Sequence, residues 1–209
     1  MTRTIDAAAR DAAQCARCDL SQTRTQVVFA SGDPAAELMF IGEAPGFHED
    51  RKGVPFVGAA GNLLNELIEG IGLTRDDVYV ANVLKCRPPS NRDPQPGEIE
   101  ACTPWLTEQM DLVDPLVVCS LGNFATRFLL QTQVGISRLR GKRYEVMGRV
   151  LVPTFHPAAV LHSGRSGTAM SQMEDDFRFL SKVLEELRAV PGEDAVSGDG
   201  DSAPQPGLF

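Results

Sequence analysis

The sequence of 209 residues lacks the features of secreted and membrane proteins. Its first 14 residues include two arginines and two aspartates, and no apolar stretch of the kind found in a signal peptide. No apolar run reaches the roughly 20 residues that a membrane-spanning helix needs. From these absences we expect a cytoplasmic protein that has no membrane partner.

Cysteine is also scarce, with five residues in the chain, but four of them form a pattern. Cys15 and Cys18 make a Cys-x-x-Cys pair, and Cys86 and Cys102 follow much later. Disulfides are rare in the cytoplasm, so a metal group is the favoured explanation. Four thiolates suit either a [4Fe–4S] cluster or a tetrahedral zinc ion, and both remain open. Cys119 lies in an apolar run and is predicted to be a core residue.

Basic residues are absent from the end of the chain. Residues 191–209 contain four acidic residues, no lysine or arginine, and many Gly, Pro and Ser residues. Such a composition cannot bury enough apolar surface to fold. The expected organisation is one domain over residues 1–190 followed by a disordered acidic tail over 191–209.

Within the body of the chain, basic residues are concentrated in two segments. Lys85, Arg87 and Arg92 lie in one, and Arg140 and Lys142 lie in the other. A local basic face can bind phosphate on a protein whose overall pI is about 4.9. Clustering alone equally fits ordinary solvated charge.

Apolar periodicity predicts strands that alternate with helices. The four predicted strands are 38–41, 78–83, 116–120 and 150–153, and an apolar segment at 144–147 could pair with the last as a hairpin. The predicted helices are 61–71, 97–112, 123–130 and 171–188, with a short one begun at His156. This order predicts an α/β fold: a single three-layer αβα domain with a mainly parallel four-stranded sheet.

A site in such a fold forms where parallel strands end. Three polar segments follow predicted strands: the loop 42–46, Asn82, and the segment 154–157. Each alone fits a turn or a helix cap. Because all three should meet at one edge of the sheet, together they predict a functional site.

Five short strings are more specific in combination than any of them alone. They are GEAPG at 42–46, GVPFVG at 53–58, AGNLL at 60–64, NVLKCRPP at 82–89 and HPAA at 156–159. Together with the four cysteines they resemble the family 4 uracil-DNA glycosylases, iron–sulfur enzymes that remove uracil from DNA. The resemblance runs from about residue 15 to residue 188. It implies a structural [4Fe–4S] cluster held by the four cysteines, with zinc as the alternative.

The same resemblance implies roles for the site residues. Phe56 would stack on a flipped uracil beside Ala44, and Asn82 would read uracil O4 and N3–H, since an amide offers both a donor and an acceptor. His156 would donate a hydrogen bond to O2 as charge builds on the departing base.

Two carboxylates, Glu43 and Glu49, are candidates to position the attacking water, and the sequence does not choose between them. Ala44 cannot act as a base, which leaves its backbone to hold the water. By resemblance, the five basic residues named above would contact the DNA backbone.

The last five residues, 205–209, look like the Gln-x-x-Leu-Phe peptides by which bacterial DNA-repair proteins bind the sliding clamp. Gln205, Leu208 and Phe209 would make that contact. A terminus without function is the alternative.

The predicted function is that of a monomeric, monofunctional uracil-DNA glycosylase in base-excision repair. The segment that follows Asn82 contains no histidine for a covalent link to the abasic product, and no Schiff-base lysine is evident. The alternative is a non-catalytic iron–sulfur protein that binds uracil or damaged DNA with the same fold.

Overall fold

The computed structural model describes residues 3–164 and 167–189. Eight α-helices lie in this part of the chain: α1 (Ile5–Ala13), α2 (Phe47–Lys52), α3 (Ala59–Glu69), α4 (Pro96–Val113), α5 (Gly122–Leu130), α6 (Ile136–Leu139), α7 (Pro157–Ser163) and α8 (Thr168–Ala189). The strands there are β1 (Ser31–Gly32), β2 (Leu38–Gly42), β3 (Tyr79–Asn82), β4 (Val117–Leu121), β5 (Tyr144–Val146) and β6 (Arg149–Thr154). The predicted tail and its clamp-binding peptide lie outside the described residues.

One sheet holds all six of these strands in the order β1-β3-β2-β4-β6-β5. The four central strands are parallel and correspond to the four predicted strands. The prediction of only four strands was wrong, because β1 and β5 add antiparallel edges. β1 has two residues, too few for an apolar period, whereas β5 forms the expected hairpin with β6.

Helices cover both faces of the sheet, which confirms the three-layer αβα architecture. Alternate residues of a strand point to opposite faces, and β2 shows the result. Leu38 and Phe40 pack with α3 and α8, and Phe40 stacks on Phe177 with a centroid separation of 5.7 Å. Met39 and Ile41 pack on the other side with α4 and α5. Both faces are therefore apolar, and β2 and β4 are buried throughout.

A third apolar cluster attaches the N-terminal segment to α4. Its buried members are Ala8, Ala12, Leu20, Phe29, Leu84, Cys86, Cys102 and Trp105. Cys119 is not among them; it is 1% exposed within the sheet, as predicted for a core residue. No helix among the described residues is long and apolar enough to span a membrane.

The parallel register brings four strand ends to one edge of the sheet. Gly42 at the end of β2 pairs with Asn82 at the end of β3. Leu121 at the end of β4 pairs with Thr154 at the end of β6. The loops that follow these residues carry the polar segments singled out in the sequence, so the predicted edge is the correct one.

Candidate active site

The side chain of Asn82 is the central feature of this edge. It is 1% exposed, yet neither its Oδ1 nor its Nδ2 has a hydrogen-bond partner among the described residues. Leaving a buried polar group unpaired costs about 1–3 kcal/mol. A native fold retains such a cost where the group serves a ligand, and this amide offers one donor side and one acceptor side.

Gly42 packs directly against that amide. A Cβ added at Gly42 would lie 2.4 Å from Asn82 Oδ1 and 2.6 Å from Phe56 Cζ. Any larger residue would therefore collide with both the amide and the ring, so only glycine allows them to come this close. We call the region formed by Gly42, Phe56, Asn82 and His156 the recess.

Phe56 is held in the recess by its backbone. It is 8% exposed and has a φ of 56°, a left-handed conformation that is uncommon outside glycine. The preceding carbonyl, that of Pro55, accepts a hydrogen bond of 2.7 Å from Arg75 Nη2. A Cβ added at Gly61 would lie 1.8 Å from the Phe56 carbonyl oxygen, so only glycine allows this close packing.

His156 packs against Phe56 in the recess. Its ring centroid lies 5.8 Å from that of Phe56, with 30° between the planes. The backbone N–H of Ala158 donates to His156 Nδ1 over 3.2 Å, so the proton of the neutral ring sits on Nε2. Burial lowers the pKa of His156 to about 4, against a smaller opposing effect of Glu49. At neutral pH His156 is thus an uncharged donor.

The two candidate carboxylates differ in their surroundings. Glu49 Oε1 accepts hydrogen bonds from the backbone N–H groups of Val57 and Gly58, at 3.0 and 3.3 Å, and so anchors the loop after Phe56. Glu43 instead lines a cleft of about 670 Å³ together with His156. Burial, followed by the charge of Asp93, raises the pKa of Glu43. The geometry thus leaves Glu43 available to the cleft.

The four predicted metal-ligating cysteines lie on neighbouring segments, and all are free thiols. Each of three sulfurs accepts an N–H donor: Cys15 from Trp105 Nε1 at 3.4 Å, Cys86 from Arg24 Nη1 at 3.3 Å, and Cys102 from Lys85 N at 3.2 Å. Burial is the main cause that raises the pKa of Cys86 and of Cys102, and the charges of other cysteines act in the same direction: Cys102 and Cys18 on Cys86, and Cys18 and Cys15 on Cys102.

N–H donors to sulfur stabilise negative charge there, so the donor set fits thiolates bound to a metal group. Among the residues that the structure describes, however, no three His, Cys, Asp or Glu side chains are arranged to hold a single metal ion. Both the presence of a metal group and its identity therefore stay predictions.

Comparison with known proteins agrees with this geometry. Residues 29–188 match the family model of the uracil DNA glycosylase superfamily. The chain belongs to this superfamily. It is 44% identical to the type-4 uracil-DNA glycosylase of Archaeoglobus fulgidus over 188 residues, which cover 86% of this chain and 93% of that protein.

Two further relatives extend the comparison. The type-4 uracil-DNA glycosylase of Saccharolobus solfataricus is 42% identical over 208 residues, which cover 94% of each protein. The type-5 uracil-DNA glycosylase of Thermus thermophilus is 36% identical over 177 residues, with 75% of this chain and 77% of that protein covered. The resemblance to family 4 is confirmed.

In this member of the superfamily, the predicted basic DNA contacts do not all face solvent. Lys85 is 1% exposed; its Nζ donates to the Asn82 carbonyl oxygen over 2.6 Å and lies 5.9 Å from the Phe29 ring centroid. Such a buried ammonium group cannot reach a phosphate. The geometry therefore gives a DNA contact of Lys85 no support.

Arg140 and Arg92 are used within the fold. Arg140 makes a two-pronged ion pair with Asp176, at 2.9 and 2.7 Å, and its side chain is 17% exposed. The geometry therefore gives a phosphate contact of Arg140 no support. Arg92 pairs with Glu98, which in turn caps the start of α4. Arg87 is half-buried and Lys142 is exposed, so DNA contacts by these two remain predictions.

Sequence reasoning missed Arg75 and Asp176. Both hold the segments that carry residues of the recess. Arg75 holds the loop before Phe56, as described above. Asp176 accepts a hydrogen bond of 2.6 Å from Thr154 Oγ1, two residues before His156, and pairs with Arg140. Neither residue lies in a recognisable string, and their partners are far away in sequence, so only the fold reveals them.

Proposed function

We propose that the protein is a monofunctional uracil-DNA glycosylase of base-excision repair, which hydrolyses the N-glycosidic bond of deoxyuridine and leaves an abasic site. The type-4 relatives support the activity. The observation that carries the assignment to this chain is the buried, unpaired amide of Asn82, which lies against Gly42 together with the ring of Phe56.

Base recognition follows from the recess. An enzyme of this kind flips its target base out of the stack. Phe56 offers an aromatic face to the flipped uracil, Asn82 Nδ2 donates to O4, and Asn82 Oδ1 accepts from N3–H. Cytosine presents a donor and an acceptor in the opposite order, so the same amide rejects it.

Bond cleavage leaves negative charge on the departing uracil. Nε2 of neutral His156 donates to O2, where this charge develops. Glu43 orients the attacking water, since Glu49 is engaged with two backbone N–H groups. Because neutral His156 already carries a proton on Nε2, it can donate this hydrogen bond to O2 without first being protonated.

The four cysteines would hold a [4Fe–4S] cluster, with zinc as the alternative. When bound, that group supplies a structural cross-link between the N-terminal segment, the loop after Cys86, and α4. The N–H donors to sulfur support this proposal. Iron, sulfide and zinc analysis of the purified protein tests it, and a colourless protein with one zinc per chain would replace the cluster by zinc.

Two partners are proposed, DNA and the sliding clamp. Arg87 and Lys142 are the predicted basic residues best placed for the DNA backbone, with Arg92 beside them. Gln205, Leu208 and Phe209 are proposed to bind the sliding clamp, and the monomeric state and cytoplasmic location stay predictions. Deleting 205–209 should abolish clamp binding without slowing the reaction on a short oligonucleotide, and an unchanged clamp affinity would dismiss that proposal.

The decisive experiment uses an end-labelled oligonucleotide that contains one uracil. After incubation, cleavage that requires alkali and is absent with thymine in place of uracil is the expected result. No cleavage by protein that retains its metal group would instead favour the alternative, a non-catalytic protein that binds uracil or damaged DNA.

A further inference from the structure

The short helix α2 has its charges divided between two sides. Its acidic residues face inwards: Asp50 is 3% exposed and accepts the Thr25 N–H over 2.9 Å, and Glu49 binds the loop after Phe56. The exposed side carries the other residues, namely Phe47, His48, Arg51 and Lys52. A helix that contains two carboxylates thus presents a cationic and aromatic surface to solvent.

Phe47 is the most exposed large apolar side chain among the described residues, at 45%. Two guanidinium groups flank its ring, with Arg51 Cζ at 5.6 Å and Arg87 Cζ at 5.2 Å from the centroid. The ring of His48 meets it edge-on at 5.4 Å. Because Arg87 comes from the loop after β3, two separate segments converge on this one exposed ring. We call Phe47, Arg51 and Arg87 the Phe47 patch.

The Phe47 patch adjoins the recess. Phe47 directly follows the loop 42–46, which contains both Gly42 and Glu43. In the same helix, Glu49 interacts electrostatically with His156 and binds the loop after Phe56. A DNA strand whose uracil enters the recess must therefore pass close to α2.

We propose that the Phe47 patch is a second DNA-binding site, in which Phe47 stacks on an unpaired base next to the flipped uridine while Arg51 and Arg87 contact the flanking phosphates. The inference rests on the proposed function. An aromatic ring stacks on any nucleobase, and the guanidinium groups of Arg51 and Arg87, which lie over the Phe47 ring, can exchange that contact for the phosphates on either side of the base. An apolar protein partner would gain nothing from the two cations.

The test measures both stacking and affinity on oligonucleotides with one uracil and a fluorescent 2-aminopurine placed on its 5′ or 3′ side. Stacking on Phe47 quenches 2-aminopurine at one of these positions. Phe47→Ala should abolish that quenching and weaken single-strand binding roughly 5- to 50-fold. Phe47→Trp should restore both, whereas Phe47→Leu, which is apolar but not aromatic, should not.

Two controls separate the possible failures. Leu116→Ala alters another exposed apolar residue, 37% exposed just before β4, at the opposite edge of the sheet, and should change nothing. Arg51→Gln should lower the salt dependence of binding by about 0.7 in the slope of log K against log [salt]. Uracil release by the wild-type protein is followed in the same samples. If the wild-type protein releases uracil but Phe47→Ala quenches and binds like wild type, the Phe47 patch is refuted while the proposed function stands.

Discussion

The recess contains Asn82, and the cysteine-bearing segment, by which we mean the region around Cys15, Cys18, Cys86 and Cys102, meets the same stretch of chain at Cys86. The two regions differ in whether their buried polar groups have hydrogen-bond partners. Asn82 and Lys85 are equally buried, each 1% exposed. The Lys85 ammonium group has the Asn82 carbonyl as its partner, and the Cys102 sulfur has the Lys85 N–H. The Asn82 amide, three residues away, has none. Here the paired groups hold neighbouring segments together, whereas the unpaired amide is available to a ligand.

The largest expected effect is at the unpaired amide. Asn82→Asp replaces the N–H donor by an oxygen, so the side chain can no longer donate to uracil O4. A site that loses such a polar match typically discriminates by several orders of magnitude. We expect kcat/KM for uracil release to fall about 1,000-fold or more. Wild-type rates in Asn82→Asp would contradict the role of the amide.

His156→Ala removes the other polar group of the recess and should act on the chemical step. Loss of one donor to a developing anion costs about 100- to 1,000-fold in kcat. The single-turnover rate of uracil release should fall by this factor, while the Kd for uracil-containing DNA should stay nearly unchanged. Unchanged turnover would remove His156 from the mechanism.

The cysteine-bearing segment should respond in stability, not in recognition. Cys18→Ser is expected to lower the bound metal content and reduce Tm by about 10 °C, which is about 3 kcal/mol for a chain of this length. Cys119→Ala is the matched control, because Cys119 is buried in the sheet and lies outside the predicted ligand set. A Tm and metal content of Cys18→Ser equal to those of Cys119→Ala would refute a structural metal group.

Acid should destabilise the recess through His156. Burial lowers its pKa to about 4 in the folded protein, against about 6.5 for an ordinary histidine. The unfolded chain therefore binds the extra proton first, and stability falls as the pH drops through this range. Between pH 7 and pH 5 the wild-type protein should lose up to about 2 kcal/mol more unfolding free energy than His156→Gln. Denaturant titrations at the two pH values measure this, and parallel losses would show that His156 is not held neutral.

The smallest expected effect is at Arg75, which reaches the recess only through a backbone carbonyl. Its guanidinium group donates to the Pro55 carbonyl, the Ser31 hydroxyl and the Asn65 side chain. Burial lowers its pKa to about 10, which still leaves it charged at neutral pH. Arg75→Gln should raise KM roughly 10-fold by loosening Phe56, with kcat less affected. Arg75→Lys should recover part of this loss, and a change confined to Tm would make Arg75 merely structural.

Sequence reasoning succeeded where a property repeats along the chain or is carried by a short string. The four central strands follow from runs such as 38–41, and their parallel order follows from alternation with helices. Asn82 and His156 were placed at the right edge because strand ends meet there. The edge strand β1 was not predicted, because two residues are too few to show an alternation of apolar and polar side chains.

The same reasoning failed for side chains whose roles depend on distant partners. Lys85 looks like a surface cation in a polar loop, but the fold closes over it. Glu43 and Glu49 are equivalent in sequence, and only the hydrogen bonds of Glu49 to Val57 and Gly58 separate them. In the sequence Arg140 belongs to a basic cluster, but in the structure its guanidinium group forms an ion pair with Asp176 on α8.

The sequence by itself determined the αβα layers and the edge of the sheet to which Asn82 and His156 come, because periodicity and local strings are properties of neighbouring residues; the roles of Phe56, Asn82 and His156 stay predictions. Only the tertiary structure decided which polar groups are paired and which stay open. Pairing joins residues tens of positions apart, as when Arg75 meets Pro55 or Asp176 meets Thr154. Since the cost of burying a polar group depends on whether such a partner is within hydrogen-bond distance, the vacant amide of Asn82 could be recognised only in the folded chain.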